Sequence, residues 1–313
     1  MKKLHYITWL RSLSTLSILC CHLVPHSSWA LLNMSAQFWN IGVQVFFIIS
    51  AILAPVVDFE KDAFRWYKKR LKRIYTAWIP FVLVLFCVHA INGKSLLDLD
   101  WVWLALGLQG TVVGVQGAEQ TWFISALLLC YLITPVASKC RQAWIRWGWF
   151  IIPAIVACFD ISPLSTITSC ICFYMLALTS ETVRKPLEKK KLLLAILAVC
   201  GLFAVRVIVH AFADGTILYD GIVAGYTHWM AAYLLVRVGA TVFSERKPWK
   251  CVQTINDLSF EIYLYHYMLI VGPISLMGLT PSWLTDCVLV AIVTLCVAWA
   301  AKHFVKKLSA RLN

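Results

Sequence analysis

The chain has 313 residues, of which 61% are hydrophobic and only 14% are charged. This composition excludes a soluble globular domain, because the apolar fraction of such domains is smaller. It predicts a protein that crosses a membrane several times. The net charge of +13 does not indicate a nucleic-acid partner, because the Lys and Arg residues fall in short clusters between apolar runs, where they orient helices and contact anionic lipid headgroups.

The apolar runs are long enough to be membrane spans. A helix needs about 20 mostly apolar residues to cross the hydrocarbon core. Ten segments are predicted to do so: 6–28, 38–57, 74–91, 121–137, 147–161, 164–180, 192–212, 219–240, 255–277 and 283–302. The expected fold is therefore an all-α integral membrane protein with about ten transmembrane helices. The apolar stretch 101–110 is too short to span and is followed by glycines, which predicts a re-entrant or interfacial segment near 96–117.

The loops between these segments alternate in charge. If the N-terminus is cytoplasmic, every basic cluster lies on the cytoplasmic side: Lys61 to Arg73 with seven bases, 139–146, 184–191 with five bases, 246–250 and the tail. In the opposite loops Lys94 is the one Lys or Arg residue. The positive-inside rule thus predicts that both termini are cytoplasmic. No repeat, low-complexity tract or linker divides the chain, so residues 1–313 are expected to form a single transmembrane domain with no fused extracytoplasmic domain.

Two ionisable residues lie within the first predicted helix, in the stretch RSLSTLSILCCH. Arg11 and His22 are eleven positions apart, which corresponds to about three turns and about 16 Å of rise, so they share one helix face. The predicted orientation places Arg11 near the cytoplasm and His22 in the outer half of the membrane. From these residues alone two interpretations stay open: a functional pair, or an Arg11 that snorkels to the inner interface beside a packed, neutral His22.

Four further stretches follow in chain order: VQVFFIISA, YKKRLKRIYTAWIP, EQTWFISALLLCYLITP and LSFEIYLYH. Together with R-x10-H they resemble the acyltransferase 3 family of integral membrane acyltransferases, which includes bacterial surface-polysaccharide O-acetyltransferases. The resemblance spans essentially the whole chain. It departs at Ala51, where the family usually has Gly after FFxxS, a change expected only to tighten a helix contact slightly.

The resemblance implies an acyl-CoA-dependent O-acetyltransferase of the bacterial inner (cytoplasmic) membrane. It would move an acetyl or similar short acyl group from cytoplasmic acyl-CoA to a sugar hydroxyl of a surface polysaccharide or lipid-linked glycan. Acetyl-CoA would be the acyl donor, with no tightly bound cofactor, and the twelve Cys lack the spacing of a metal site. Expected partners are acyl-CoA, the glycan acceptor and membrane lipids, while glycan-assembly proteins stay open and nucleic acid is not expected. The alternative is a transporter or flippase of a lipid-linked sugar, but the sequence shows no corresponding pair of broken helices.

The family's functional positions carry over to particular residues. They are Arg11 and His22 of the first helix, Arg70 and Arg73 of the R-x-x-R pattern, Trp122 opening the fourth helix, and Tyr263 and His266 of the ninth. Arg11, Arg70 and Arg73 are candidates for binding the phosphates of coenzyme A, because a guanidinium pairs with phosphate through a planar fork. Plain positive-inside anchoring is the alternative for Arg70 and Arg73. Trp122, Tyr263 and His266 are expected to bind the acceptor.

His22 has two candidate chemical roles. An imidazole can deprotonate a sugar hydroxyl at neutral pH or hold the acyl group as a nucleophile, and the sequence does not choose between them. Its orienting partner is sought among Glu119, Glu261 and Tyr263. Glu261, deep in the ninth helix, is expected to assist catalysis by pairing with Arg11, or else to form a structural tie with Arg237 or Lys250.

Two residues extend the predicted acceptor site. Arg206 lies near the outer end of the seventh predicted helix, one turn from His210, and outward snorkelling is its alternative role. His228 lies in the outer half of the eighth predicted helix and is expected to face the same cavity.

Overall fold

The computed structural model describes residues 4–54, 59–93, 101–112, 117–140, 142–159 and 164–311. In this part of the chain every regular element is helical. The α-helices are α1 (His5–Leu23), α2 (Ala30–Met34), α3 (Ala36–Trp39), α4 (Ile41–Ile52), α5 (Phe59–Ile91), α6 (Trp101–Leu106), α7 (Gln109–Val112), α8 (Trp122–Ala137), α9 (Ala143–Ala157), α10 (Leu164–Thr179), α11 (Lys189–Ala213), α12 (Ala224–Phe243), α13 (Lys250–Ile270) and α14 (Trp283–Arg311). A π-helical turn, Ile217–Val223, precedes α12.

Several of these helices are long and apolar enough to cross a membrane. Among the described residues six stretches qualify: His5–His26, Ala30–Ile52, Asp62–Ile91, Glu119–Ala137, Lys189–Ala213 and Trp283–Lys307. Helices α9 and α10 are apolar but shorter, with 15 and 16 residues. The predicted all-helical membrane class is confirmed, whereas the count of ten spans and the orientation of the termini stay predictions.

Several helix boundaries differ from those expected, and two of the differences have a local explanation. Helix α5 begins at Phe59, so the basic run that ends at Arg73 is helical, because Lys, Arg and Leu lose little side-chain freedom in a helix. Helix α13 ends at Ile270 rather than at 277. The dipeptide Gly272-Pro273 follows, and such a pair marks a turn.

The chain forms two compact units, and α1, α8 and α13 each contribute to both. Unit 1 comprises Met1–Ser17, Asn40–Val57 and Ala126–Gln253. Within it α4 packs against α10 and α12, α9 against α10, and α11 against α12. Helix α4 is apolar apart from Gln44 and Ser50. Its residues Phe47 and Ala51 are fully buried, which is typical of a helix enclosed by others. The first half of α1 is tied in by Ser12, whose hydroxyl donates to the Val252 carbonyl at 2.7 Å.

Unit 2 comprises Ile18–Trp39, Asp58–Ser125 and Thr254–Asn313. Its core joins the end of α1 to α13 and α14 through one buried cluster: Leu19, Leu23, Leu258, Ile262, Ile270, Val290 and Ala298. Helix α14 also packs against α5. The Trp283 indole donates to the Leu23 carbonyl at 3.0 Å, which fixes the C-terminal end of α1 inside this unit.

The short helices α6 and α7 occupy the described part of the predicted re-entrant segment, and residues 96–100 and 113–116 lie outside the described residues. Side chains satisfy the carbonyls at the irregular end of α6. Trp78 donates to Leu104 at 2.8 Å, Tyr75 to Leu106 at 2.7 Å, and Ser125 to Gly107 at 2.7 Å. Non-helical backbone is tolerated at membrane depth only where other protein groups take its hydrogen bonds, so this packing meets the requirement of a re-entrant segment.

Candidate functional site

His22 lies in the last turn of α1, within unit 2, and it faces aromatic side chains of α13. The centroid of its ring is 5.3 Å from that of His266 and 4.9 Å from that of Tyr267, which it meets edge to face. Two imidazoles thus come together from different helices. The sequence motifs predict that both residues belong to the site, but they do not predict this contact.

His266 is completely buried, and its hydrogen bonds determine its tautomer. Its Nδ1 lies 2.8 Å from the Tyr263 carbonyl and 3.1 Å from the Ile262 carbonyl. Because a carbonyl only accepts, Nδ1 carries the proton and Nε2 of the neutral ring is an acceptor. Nε2 is buried and has no hydrogen-bond partner among the described residues. The α13 backbone therefore holds an unused proton acceptor in the ring that contacts His22.

The start of α8 packs against the same face of α13. The buried Tyr263 hydroxyl donates to the Gln120 carbonyl, and the Gln120 amide donates back to the Leu264 carbonyl at 2.9 Å. Phe123 meets the Tyr263 ring edge to face at 5.2 Å. The two hydrogen bonds of Gln120 and the ring contact of Phe123 lie on either side of Trp122, the half-buried first residue of α8.

The remaining predicted residues of unit 2 have identifiable surroundings. Glu261 Oε2 lies 4.0 Å from Lys302 Nζ of α14, a base that the sequence analysis does not consider. Arg70 places its guanidinium 5.5 Å from the centroid of the Trp66 ring, one turn earlier on α5, and is half-buried. Arg73 is exposed. Arg70 and Arg73 lie one turn apart, as a phosphate-binding pair requires.

Three predicted residues belong to unit 1. Arg11 is half-buried on α1. Arg206 is 8% exposed and donates from Nη1 to the Ala224 carbonyl at 2.6 Å, with its guanidinium 5.7 Å from the centroid of the Tyr219 ring. Both contacts come from the segment that follows α11, namely the π-helical turn and the start of α12. His228 is buried on α12 and meets the ring of Phe203 edge to face at 6.3 Å.

The structure therefore gathers His22, Tyr263 and His266 in one part of unit 2, with the Trp122 end of α8 beside them. Two members of this group, Gln120 and Tyr267, are not singled out by the sequence analysis. Both could have been found by their position next to predicted site residues in the sequence. Gln120 precedes Thr121-Trp122, and Tyr267 follows His266 directly. We name His22, Gln120, Tyr263, His266 and Tyr267 the histidine cluster.

Comparison with known proteins gives one match. No curated protein and no solved structure matches the chain. The family described as an acyltransferase domain, acyltransferase 3, matches residues 4–303, which is essentially the whole chain. That span takes in the histidine cluster and the R-x-x-R pattern of α5, in agreement with the resemblance carried by the sequence motifs. The chain belongs to the acyltransferase 3 family of membrane acyltransferases.

Proposed function

We propose that this membrane acyltransferase is an O-acetyltransferase. It takes an acetyl or similar short acyl group from cytoplasmic acyl-CoA and transfers it to a sugar hydroxyl of a surface polysaccharide or lipid-linked glycan. Its setting is a bacterial inner membrane, crossed ten times, with both termini in the cytoplasm. The contact of His22 with His266, inside a chain matched along its length by an acyltransferase family, is the observation that carries the proposal.

The cluster is consistent with the proposed topology. His22 lies in the last turn of α1, Gln120 precedes α8, and His266 lies in the second half of α13. With a cytoplasmic N-terminus, all three positions fall towards the outer side of the membrane. Charge alternation in the loops and side-chain packing in unit 2 are independent observations, and both support an acceptor site that faces outward.

The proposed division of labour follows from this placement. His22 takes the proton of the acceptor hydroxyl or holds the acyl group, and either role needs a neutral imidazole. The second imidazole, His266, offers Nε2 as an acceptor for a proton that His22 releases. Within unit 2, Arg70 and Arg73 bind the phosphates of the donor, while Trp122 and Tyr263 bind the acceptor and Glu261 assists His22. The donor role of Arg11 and the acceptor roles of Arg206 and His228, all of unit 1, stay predictions.

The test uses purified protein reconstituted in lipid nanodiscs with radiolabelled acetyl-CoA. His22→Ala is expected to lower acetyl-CoA turnover by about 100-fold to 10,000-fold, the usual contribution of a positioned acid or base. His26→Ala is the matched control, because His26 is exposed in the 3-10 turn that follows α1. It should leave turnover within about twofold.

The label also distinguishes the two roles of His22. Radioactivity that stays on the protein without an acceptor, and is absent from His22→Ala, indicates an acyl-histidine intermediate. Turnover that requires the acceptor and leaves no label indicates a base. If His22→Ala turns acetyl-CoA over at the rate of His26→Ala, the proposal is wrong.

A further inference from the structure

A second feature lies in unit 1, and none of the residues that line it has a role in the proposed function. A cavity of about 680 Å³ opens between α4, α9, α10 and α12, and we name it the α9–α10 cavity. Its size is that of a pocket for a small organic molecule.

The body of the cavity is apolar. Nine of its thirteen lining side chains are aliphatic or aromatic. Phe173 and Trp229 stack in parallel with centroids 5.0 Å apart, and Phe150 meets Phe173 edge to face at 6.2 Å. A glycan here would leave most of its hydroxyls without hydrogen bonds, at a cost of about 1–3 kcal/mol each, whereas a hydrocarbon chain fits without such loss.

The cavity lining also contains polar and basic side chains. Arg146 in the first turns of α9 lines the cavity, together with Ser180 and Thr182 beyond the end of α10. The hydroxyls of Ser180 and Thr182 lie 2.8 Å apart, and each also bonds to the Tyr233 hydroxyl. The two flanking segments, 139–146 and 180–191, contain eight Lys or Arg and two Glu. A guanidinium and three hydroxyls that line the same cavity, in a basic surrounding, are complementary to a phosphate group.

Two of the apolar side chains that line the cavity are exposed. Trp147 and Met230 line it and are 64% and 43% exposed. Exposed apolar side chains on a membrane helix face the hydrocarbon, so an acyl chain can pass between them from the bilayer.

From these observations we infer that the α9–α10 cavity binds one anionic phospholipid, with an acyl chain in the aromatic body and the phosphate between Arg146 and the three hydroxyls. Basic pockets between transmembrane helices on the cytoplasmic side bind anionic headgroups by this chemistry. The flanking segments are those that loop charge assigns to the cytoplasm. The inference does not rest on the proposed acetyl transfer.

The test is native mass spectrometry of the delipidated protein in detergent, titrated with phosphatidylglycerol and, in parallel, with phosphatidylcholine. One phosphatidylglycerol is expected to bind at least about tenfold more tightly than phosphatidylcholine. Arg146→Gln should weaken phosphatidylglycerol binding by about tenfold, the loss of one charge-assisted hydrogen bond. Lys306→Gln, an exposed base of the α14 tail in unit 2, is the matched control and should bind as the unaltered protein does.

A second variant tests the body of the cavity. Ala143 lines the cavity but is exposed, so Ala143→Trp should fill the opening without straining the core and abolish the bound lipid. Thermal unfolding midpoints near that of the unaltered protein show that both variants fold. Equal binding of the two lipids, undiminished binding by Arg146→Gln or by Ala143→Trp, or displacement of the lipid by acetyl-CoA would each overturn the inference, the last by making the cavity a donor site.

Discussion

At the scale of single residues, the most informative side chain is His266. Its Nδ1 is committed to two carbonyls of its own helix, which leaves Nε2 as an acceptor that no described residue uses. A buried acceptor without a partner is expensive. Its persistence beside the His22 ring is explained if a substrate or a transferred proton occupies Nε2 during the reaction.

This arrangement predicts the effect of His266→Gln. Glutamine keeps a polar side chain but cannot reproduce a ring with a fixed acceptor facing His22. We expect kcat for acetyl transfer to fall by about 10-fold to 100-fold, with KM for acetyl-CoA unchanged, because proton transfer and not donor binding is affected. Steady-state kinetics of the reconstituted protein measure both constants.

His303→Gln is the matched control for this variant. His303 makes the same bond from Nδ1 to a carbonyl four residues earlier, Trp299, at 2.8 Å, but it is exposed on α14. Equal kcat values for the two variants would show that His266 only packs.

At the scale of elements, the backbones of α7 and the start of α8 approach each other closely. Gly110 on α7 lies against the backbone of Trp122, and a Cβ added to Gly110 would stand 2.1 Å from the Trp122 Cα. The Gly110 amide donates to the Ser125 hydroxyl at 3.2 Å, and the Gln109 side chain donates to the Thr121 hydroxyl at 2.6 Å. The described part of the predicted re-entrant segment thus packs against the start of α8. Gln120 of the histidine cluster lies directly before that start.

The close approach predicts that Gly110→Ala separates α7 from α8. The neighbouring atom is backbone and cannot rotate away, so we expect a loss of about 1–3 kcal/mol of stability, the usual cost of overpacking. Acetyl transfer should fall as well, because Gln120 moves relative to Tyr263. Thermal unfolding in detergent and the turnover assay are the two measurements.

Gly201→Ala provides the comparison. A Cβ at Gly201 of α11 meets nothing within 4 Å, and alanine is the better helix former, so this variant should be neutral or slightly more stable. Gly110→Ala with the same unfolding midpoint as Gly201→Ala would contradict the structural explanation.

The sequence predicts elements better than it predicts their contacts. The run of apolar residues and the helical spacing of Arg11 and His22 are local properties, and α1 is an unbroken helix from His5 to Leu23. The neighbours of Glu261 and His22 are not local, since Lys302 and Tyr267 reach them from other helices. Arg206 illustrates the same limit, because the π-helical turn that brings Tyr219 to its guanidinium leaves no signal in the apolar pattern.

At the scale of the whole molecule, the open question is how many helices cross the membrane. Helices α9 and α10 have 15 and 16 residues, or about 22–24 Å at 1.5 Å per residue, against a hydrocarbon core of about 30 Å. Either both cross a locally thinned bilayer, giving ten spans, or they form a hairpin that returns to the cytoplasm, giving eight. The charges of the other loops do not distinguish ten spans from eight. Adding or removing two consecutive spans leaves every other loop on the same side of the membrane.

The end of α9 distinguishes ten spans from eight, and the chain has a native probe there. Cys158 follows α9 directly and is exposed, whereas Cys140 lies beyond the end of α8 in a loop assigned to the cytoplasm. With ten spans, a membrane-impermeant maleimide added to intact cells labels Cys158, so Cys158→Ser should remove one label per chain and Cys140→Ser none. Ten spans agree with the positive-inside rule. In that topology α9 starts from the cytoplasmic basic segment 139–146, and α10 ends at the cytoplasmic basic segment 184–191. Labelling of Cys158 only after the membrane is permeabilised would instead establish the eight-span hairpin and leave the outward position of His22 unchanged.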